Sequence, residues 1–370
     1  MKLPSTLREF NIEKFLKRSW PLLVGGAVLV IGVAVLLFHL AISGAARDDS
    51  EKGPDTPNVE ATSTETGLVV RHLDGVAVSP GEESLQPIAI MVENSPDARP
   101  LAGVSSANLV VEAPVEGGIT RFMLVFDATT TFAQVGPVRS ARPYYVELAD
   151  ALHAVYAHVG GSPEALDHIG KIKGFRNLDE FYNGPTFWRS TRSAPHNVYT
   201  SSKLLATAIA RKGWQAESFT PWRYVTTQSS STKTGLNISV PYGGSFNVSW
   251  TYDEDSHRYV RRQAGVTQKD MDGTVVSSTN VLVLKTDAEQ VDDYGRLHVR
   301  TTGSGKGVLF RDGQRFDLTW HRTASGWFAF ETVEGGDIFF EPGKTWISFA
   351  TTPDEMPAAL ESPTPTSTTP

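Results

Sequence analysis

Between Pro21 and Ile42 the chain carries no Asp, Glu, Lys or Arg. Twenty-two residues at about 1.5 Å rise each span roughly 33 Å, enough for a bilayer hydrocarbon core of about 30 Å. His39 is the one polar interruption, and it lies near the outer end, where it can stay neutral and reach water. Trp20 stands at the inner edge, where an amphipathic ring is favoured. Lys2, Arg8, Lys14, Lys17 and Arg18 precede the run, whereas Arg47, Asp48, Asp49 and Glu51 follow it. The bias predicts a single-pass membrane anchor over 21–42, with residues 1–20 as a cytoplasmic basic tail and everything downstream extracytoplasmic. A cleaved signal peptide is the rival reading, because Ala41-Ile42-Ser43 and Ser43-Gly44-Ala45 offer small-residue cleavage sites. The apolar run exceeds the roughly 7–15 residues of an ordinary signal-peptide core, which favours a retained anchor.

A chain of 370 residues has room for one large or two ordinary domains. Its net charge of -7 argues against nucleic acid as a partner, since phosphate neutralisation needs clustered Lys and Arg. There is no cysteine. That excludes disulfides, thiolate nucleophiles, Cys-ligated metal and a lipid attached through a lipobox cysteine. No cofactor and no metal site is expected.

Residues 43–86 are rich in Asp, Glu, Thr, Ser, Pro and Gly and read as a disordered stalk, with a short edge element over 68–73. The Pro/Thr/Ser-rich tail 351–370 reads the same way. Between them lie two textures. Over 87–225, apolar runs at 87–94, 109–111, 121–127 and 155–159 predict strands. Helices are predicted at Pro143–Ala154, after Ser162-Pro163-Glu164, and over Leu204–Lys212 before Gly213. Over 236–350 the pattern is of short alternating strands and turns, with Trp320, Trp327, Phe328, Phe330, Phe339, Phe340 and Trp346 as core. The expected architecture is an α/β N-terminal domain, then a β-rich (α+β) C-terminal domain, preceded by one transmembrane helix.

Gly117-Gly118-Ile119-Thr120-Arg121-Phe122, Gly136-Pro137-Val138-Arg139-Ser140-Ala141-Arg142-Pro143 and Pro195-His196-Asn197-Val198-Tyr199 resemble motifs of the YerB-like envelope proteins, domain of unknown function 3048. His158-Val159-Gly160-Gly161-Ser162-Pro163 and Pro342-Gly343-Lys344-Thr345-Trp346 extend the resemblance over about 87–350. It implies a bacterial surface protein with an α/β and a β-rich part, and it implies no reaction. Many members are lipoproteins; this chain lacks the cysteine and has an apolar helix in its place.

Arg139-Ser140-Ala141-Arg142-Pro143 opens a helix, where unpaired N–H groups and the helix dipole favour an anion. Two guanidinium forks match phosphate or carboxylate geometry. Arg139, Ser140 and Arg142, with Arg121, are therefore candidate ligand residues. The competing reading pairs Arg139 and Arg142 with Glu112, Glu116 or Glu147 to lock the fold. Arg189, His196 and Asn197, in a polar loop, could line the same cleft. Glu112 and Glu116, or His196, are candidate acids or bases for glycoside cleavage, although Pro114 and Gly117-Gly118 bend the chain between the two acids. Gly303-Ser304-Gly305-Lys306-Gly307 mimics a phosphate loop but lacks its spacing and its Ser or Thr, and is expected to be a hairpin loop. The leading expectation is a non-enzymatic binder of an anionic cell-wall or lipid-linked ligand, or of a protein partner. A cell-wall enzyme (hydrolase or phosphoryl/glycosyl transferase) and a structural scaffold are the alternatives.

Overall fold

Every residue of Ile88–Glu93 is buried, as expected of a strand covered on both faces. This strand, β1, belongs to the main sheet of the computed structural model, which describes residues 67–225 and 233–357. The described residues lie within one compact unit, 63–370. The apolar run 21–42, the tail 1–20 and the stalk before residue 67 lie outside them. No helix among the described residues is long and apolar enough to cross a membrane.

In chain order the strands of the two larger sheets are β1, β2 (Leu109–Pro114), β3 (Thr120–Phe126), β4 (Val155–His158) and β5 (Asn177–Asp179). Then follow β6 (Asn237–Val240), β7 (Val248–Asp253), β8 (Arg258–Gln263), β9 (Val266–Thr267) and β10 (Ser277–Ser278). The last five are β11 (Asn280–Lys285), β12 (Gly303–Arg311), β13 (Gln314–Arg322), β14 (Ala329–Thr332) and β15 (Thr345–Ala350). Ten of these form one mixed sheet, in the order β14-β13-β12-β11-β15-β2-β3-β1-β4-β5. Strands from both textures thus share a single sheet, joined where β15 runs parallel to β2. Strands β6 to β10 make a second, smaller sheet.

Alternation divides the large sheet cleanly. Ile88, Ile90 and Val92 face one core, shared with Trp250 and Tyr259 of the small sheet. Ala89 and Met91 face the other, covered by α1 (Pro143–Ala151) and α2 (Pro163–Lys171). The helix signals act as expected. Pro143 and Pro163 occupy first turns, the Ser162 hydroxyl accepts from the Ala165 N–H at 3.2 Å, and α3 (Ser202–Lys212) stops at left-handed Gly213.

Three stretches differ from expectation: one is the start of the Pro/Thr/Ser-rich tail, where Thr352 caps a short 3-10 helix, Pro353–Glu355, and Glu355 is buried. Residues 67–86, grouped by composition with the stalk, carry structure: Asp74 is buried, held by Arg71 and Asn108 at 2.8 Å and by the Gly343 N–H at 2.7 Å. Gly303–Gly307 is no hairpin loop; it begins β12. Its glycines make room rather than turn. A Cβ on Gly305 would stand 2.6 Å from Trp320 Nε1 and 2.8 Å from the Lys285 carbonyl.

Candidate functional site

Strands β1, β2, β4 and β5 all point the same way, because β2 and β1 each pair antiparallel to β3, while β4 and β5 continue parallel from β1. Carboxyl ends of parallel strands are where open α/β sheets hold ligands. Here a strap, residues 137–141, wedges between the ends of β1 and β4. The Arg139 N–H donates to Met91 O at 2.9 Å, and the Val159 N–H donates to Arg139 O at 3.1 Å. The backbone therefore fixes Arg139 at the mouth, on the helix side of the sheet.

Three guanidiniums gather there. Arg121, the second residue of β3, stands directly across from Glu93; its Nη1 donates to Ser140 O at 2.9 Å, and its carbonyl accepts from the Tyr145 hydroxyl of α1 at 2.5 Å. Arg142, the residue before α1, donates through Nε to Glu116 at 3.0 Å, with a second, shorter bond between the same two groups. The buried Nε of Arg139 lies 3.4 Å from Glu93 Oε2, an ion pair without hydrogen-bond geometry. Burial, and then the charge of Arg142, lower the Arg121 pKa to about 10. Burial by itself would raise the Glu116 carboxyl, but the hydrogen bond and charge of Arg142, with that of Arg121, pull it below the ordinary value. Glu93 and Glu116 are the two carboxylates paired with these three cations.

The loop residues arrive at the same edge. His196 Nδ1 is 2.9 Å from Glu93 Oε2, and the Ser95 hydroxyl donates to Glu93 Oε1 at 2.7 Å. Asn197 accepts from Arg189 at 3.1 Å, and Arg189 also reaches Glu180 at 3.0 Å. Arg121, Arg139, Ser140, Arg142, Arg189, His196 and Asn197 are thus brought together, with Glu116 beside them. Glu112 is not. It alternates onto the opposite face, where neither it nor Arg261 is exposed and Arg261 Nη2 donates to both Glu112 carboxylate oxygens, at 2.9 and 2.8 Å. Glu147 bonds the Thr301 hydroxyl, away from Arg139 and Arg142.

Glu93, Ser95 and Glu180 were missed by sequence reasoning. The available signal was Glu93 itself, a lone acid ending an otherwise apolar buried strand. No three His, Cys, Asp or Glu converge as a metal site among the described residues. A groove of about 700 Å³ lies elsewhere, lined by Trp222, Trp327, Phe328, Phe330 and Phe340.

The family description "Protein of unknown function (DUF3048) N-terminal domain" matches residues 73–215, and its C-terminal domain matches 238–347. The chain belongs to the DUF3048 family. A DUF3048 relative in Bacillus subtilis (strain 168), named "Putative lipoprotein YerB", is 34% identical over 272 residues, 71% of this chain and 80% of its own length. The crystal structure of YerB protein from Bacillus subtilis superposes with a TM-score of 0.69 at 30% identity, covering 78% of this chain and 98% of that one. The Arg121, Arg139, Arg142, Glu93 and His196 cluster lies wholly within the segment matched by the DUF3048 N-terminal domain.

Proposed function

We propose that the protein is an envelope protein, tethered through residues 21–42 with its folded part outside the membrane, that binds an anionic ligand at the carboxyl edge of β1 and β4. The observation that carries this reading is the surplus of cations: Arg121, Arg139 and Arg142 share two carboxylates, Glu93 and Glu116, and the Arg139 side chain is the most exposed of the three. A phosphate or carboxylate would balance the third guanidinium. The one-sided basic residues before the apolar run, and the lipoprotein name of the Bacillus relative, support the tether.

His196 favours a second reading. A carboxylate on Nδ1 orients an imidazole and leaves Nε2 unbonded among the described residues, which is the arrangement of a general base. The test is a titration of the full-length protein in nanodiscs with inorganic phosphate and solubilised cell-wall fragments. Arg139→Ala should weaken binding by about 10–100-fold, the scale of a lost charge-assisted hydrogen bond. Equal binding by wild type and variant, or none by either, sinks the anion site. Cleavage of the wall fragments that is lost in His196→Ala would put the enzymatic reading first.

A further inference from the structure

The edge that holds Arg139 also carries two exposed aromatic rings. Phe181 is 69% exposed and Tyr182 86%. The turn that carries them is braced. The buried Asp179 accepts from the Phe181 N–H at 3.2 Å through its carboxylate, and its carbonyl accepts from the Tyr182 N–H at 3.0 Å. The Asn183 backbone and side-chain amides, each at 2.9 Å, bond the same carbonyl. The Phe181 ring lies against Gly160, where a Cβ would stand 2.8 Å from Cε2 at a φ of +55°. A braced turn has little backbone freedom left to lose on binding, so the rings it presents suit a stacking platform.

Contacts close a circuit around this part of the edge. Arg139 bonds Val159, the residue before Gly160; Gly160 touches Phe181; and Phe181 follows Glu180. Glu180 pairs with Arg189, Arg189 bonds Asn197, and the neighbouring His196 shares Glu93 with Arg139. The rim therefore alternates cations and donors (Arg139, Arg189, His196) with acceptors (Glu180, Asn197), beside two apolar faces. Exposed apolar patches rimmed by polar groups mark interaction sites. A lipid surface would meet aliphatic and cationic groups without acceptors. A hydroxyl-rich ring uses both, because each hydroxyl donates and accepts, while its C–H face packs on an aromatic ring.

We propose that the anionic ligand is an acidic pyranose, its ring stacked on Phe181 or Tyr182 and its carboxylate or phosphate on Arg139. This rests on the anion site argued above and names the class of molecule that fills it. The test is an NMR titration of the full-length protein in nanodiscs with inorganic phosphate, glucose 6-phosphate, glucuronic acid and N-acetylglucosamine. The acidic sugars should bind about tenfold tighter than both inorganic phosphate and the neutral sugar. In Phe181→Ala/Tyr182→Ala, two exposed positions whose loss should leave the melting temperature unchanged, that advantage over phosphate should fall to about one. The preference of glucose 6-phosphate over glucuronic acid, or the reverse, then identifies the charged group. An advantage that survives in the double variant, or equal binding of acidic and neutral sugars, overturns the proposal. Wild type that binds phosphate but prefers no sugar overturns it alone, leaving a bare anion site or a charged peptide as ligand. No binding of any anion, phosphate included, removes the site itself.

Discussion

Glu112 and Arg261 are neighbours in space although 149 residues separate them. Thr120 at 2.9 Å and Trp346 Nε1 at 3.1 Å add donors to the carboxylate. The guanidinium lies 4.6 Å from the Trp346 ring centre, 5.3 Å from Phe122 and 5.7 Å from Trp250. Removing either partner leaves a buried charge without its counter-ion, which costs about 3–5 kcal/mol. Glu112→Ala and Arg261→Ala should each lose that much in urea unfolding, and the paired change Glu112→Leu/Arg261→Met distinctly less. A loss below about 1 kcal/mol in the single variants would show that the pair does not hold the sheets together. The same residue marks where the sequence stops being readable. In sequence, Glu112 stands beside Glu116 as an acid near a bend, and only the face on which it emerges separates a structural carboxylate from one at the cleft. Arg139, Ser140 and Arg142 were legible because a helix start is written in adjacent residues. Glu93 and His196, 103 residues apart, become partners only once β1 and the loop meet.

Elements whose signals are local came through: β1 by its apolar run, α1 (three residues shorter than expected at its C-terminal end) and α2 by first-turn prolines and, for α2, the Ser162 cap. The Gly303–Gly307 stretch did not, because Gly305 answers to Trp320 and Gly307 to Leu318 across a strand pair rather than to a turn. A similar distant demand falls on the approach to β15. Lys344 Nζ is buried and donates to Val104 O at 2.9 Å and Ser105 O at 2.5 Å, and those residues are in turn held by Asp270. Burial lowers the Lys344 pKa to about 7, against the raising effect of Asp270 and with a small lowering effect from Arg258. An unfolded chain binds this proton up to about pH 10.4, whereas the folded one releases it near 7. The unfolded state thus holds more protons between those values, so the folded state gains stability as pH rises from about 7 towards 10. Denaturant midpoints measured from pH 7 to 9.5 should climb, and Lys344→Met should flatten the slope. A flat profile in the wild type would mean that the two carbonyls and Asp270 hold Lys344 charged throughout.

At the scale of the molecule, the two matched segments divide the sequence but not the hydrogen bonds. Strand β15 sits between β11 and β2, so the join is a parallel pairing in mid-sheet, Thr345 opposite Leu109 through Ser348 opposite Glu112. Further ties cross from one segment to the other: Glu112 to Arg261, Lys344 to Val104 and Ser105, and Arg322 to the Glu147 carbonyl at 2.9 Å. Cutting between residues 225 and 233 would leave β2 with an open edge, a charge buried on each side, and one core stripped of its cover. Unpaired strand edges and unsatisfied buried charges are both costly and prone to aggregation. The intact protein should therefore unfold as one unit, with tryptophan fluorescence and far-UV circular dichroism tracing the same urea transition. Fragments 67–225 and 233–357 produced apart should give collapsed NMR spectra, and should recover native dispersion when refolded together. Two resolved transitions, or native dispersion from either fragment alone, would show that each segment closes its own core and that the shared sheet is a contact between two folded parts.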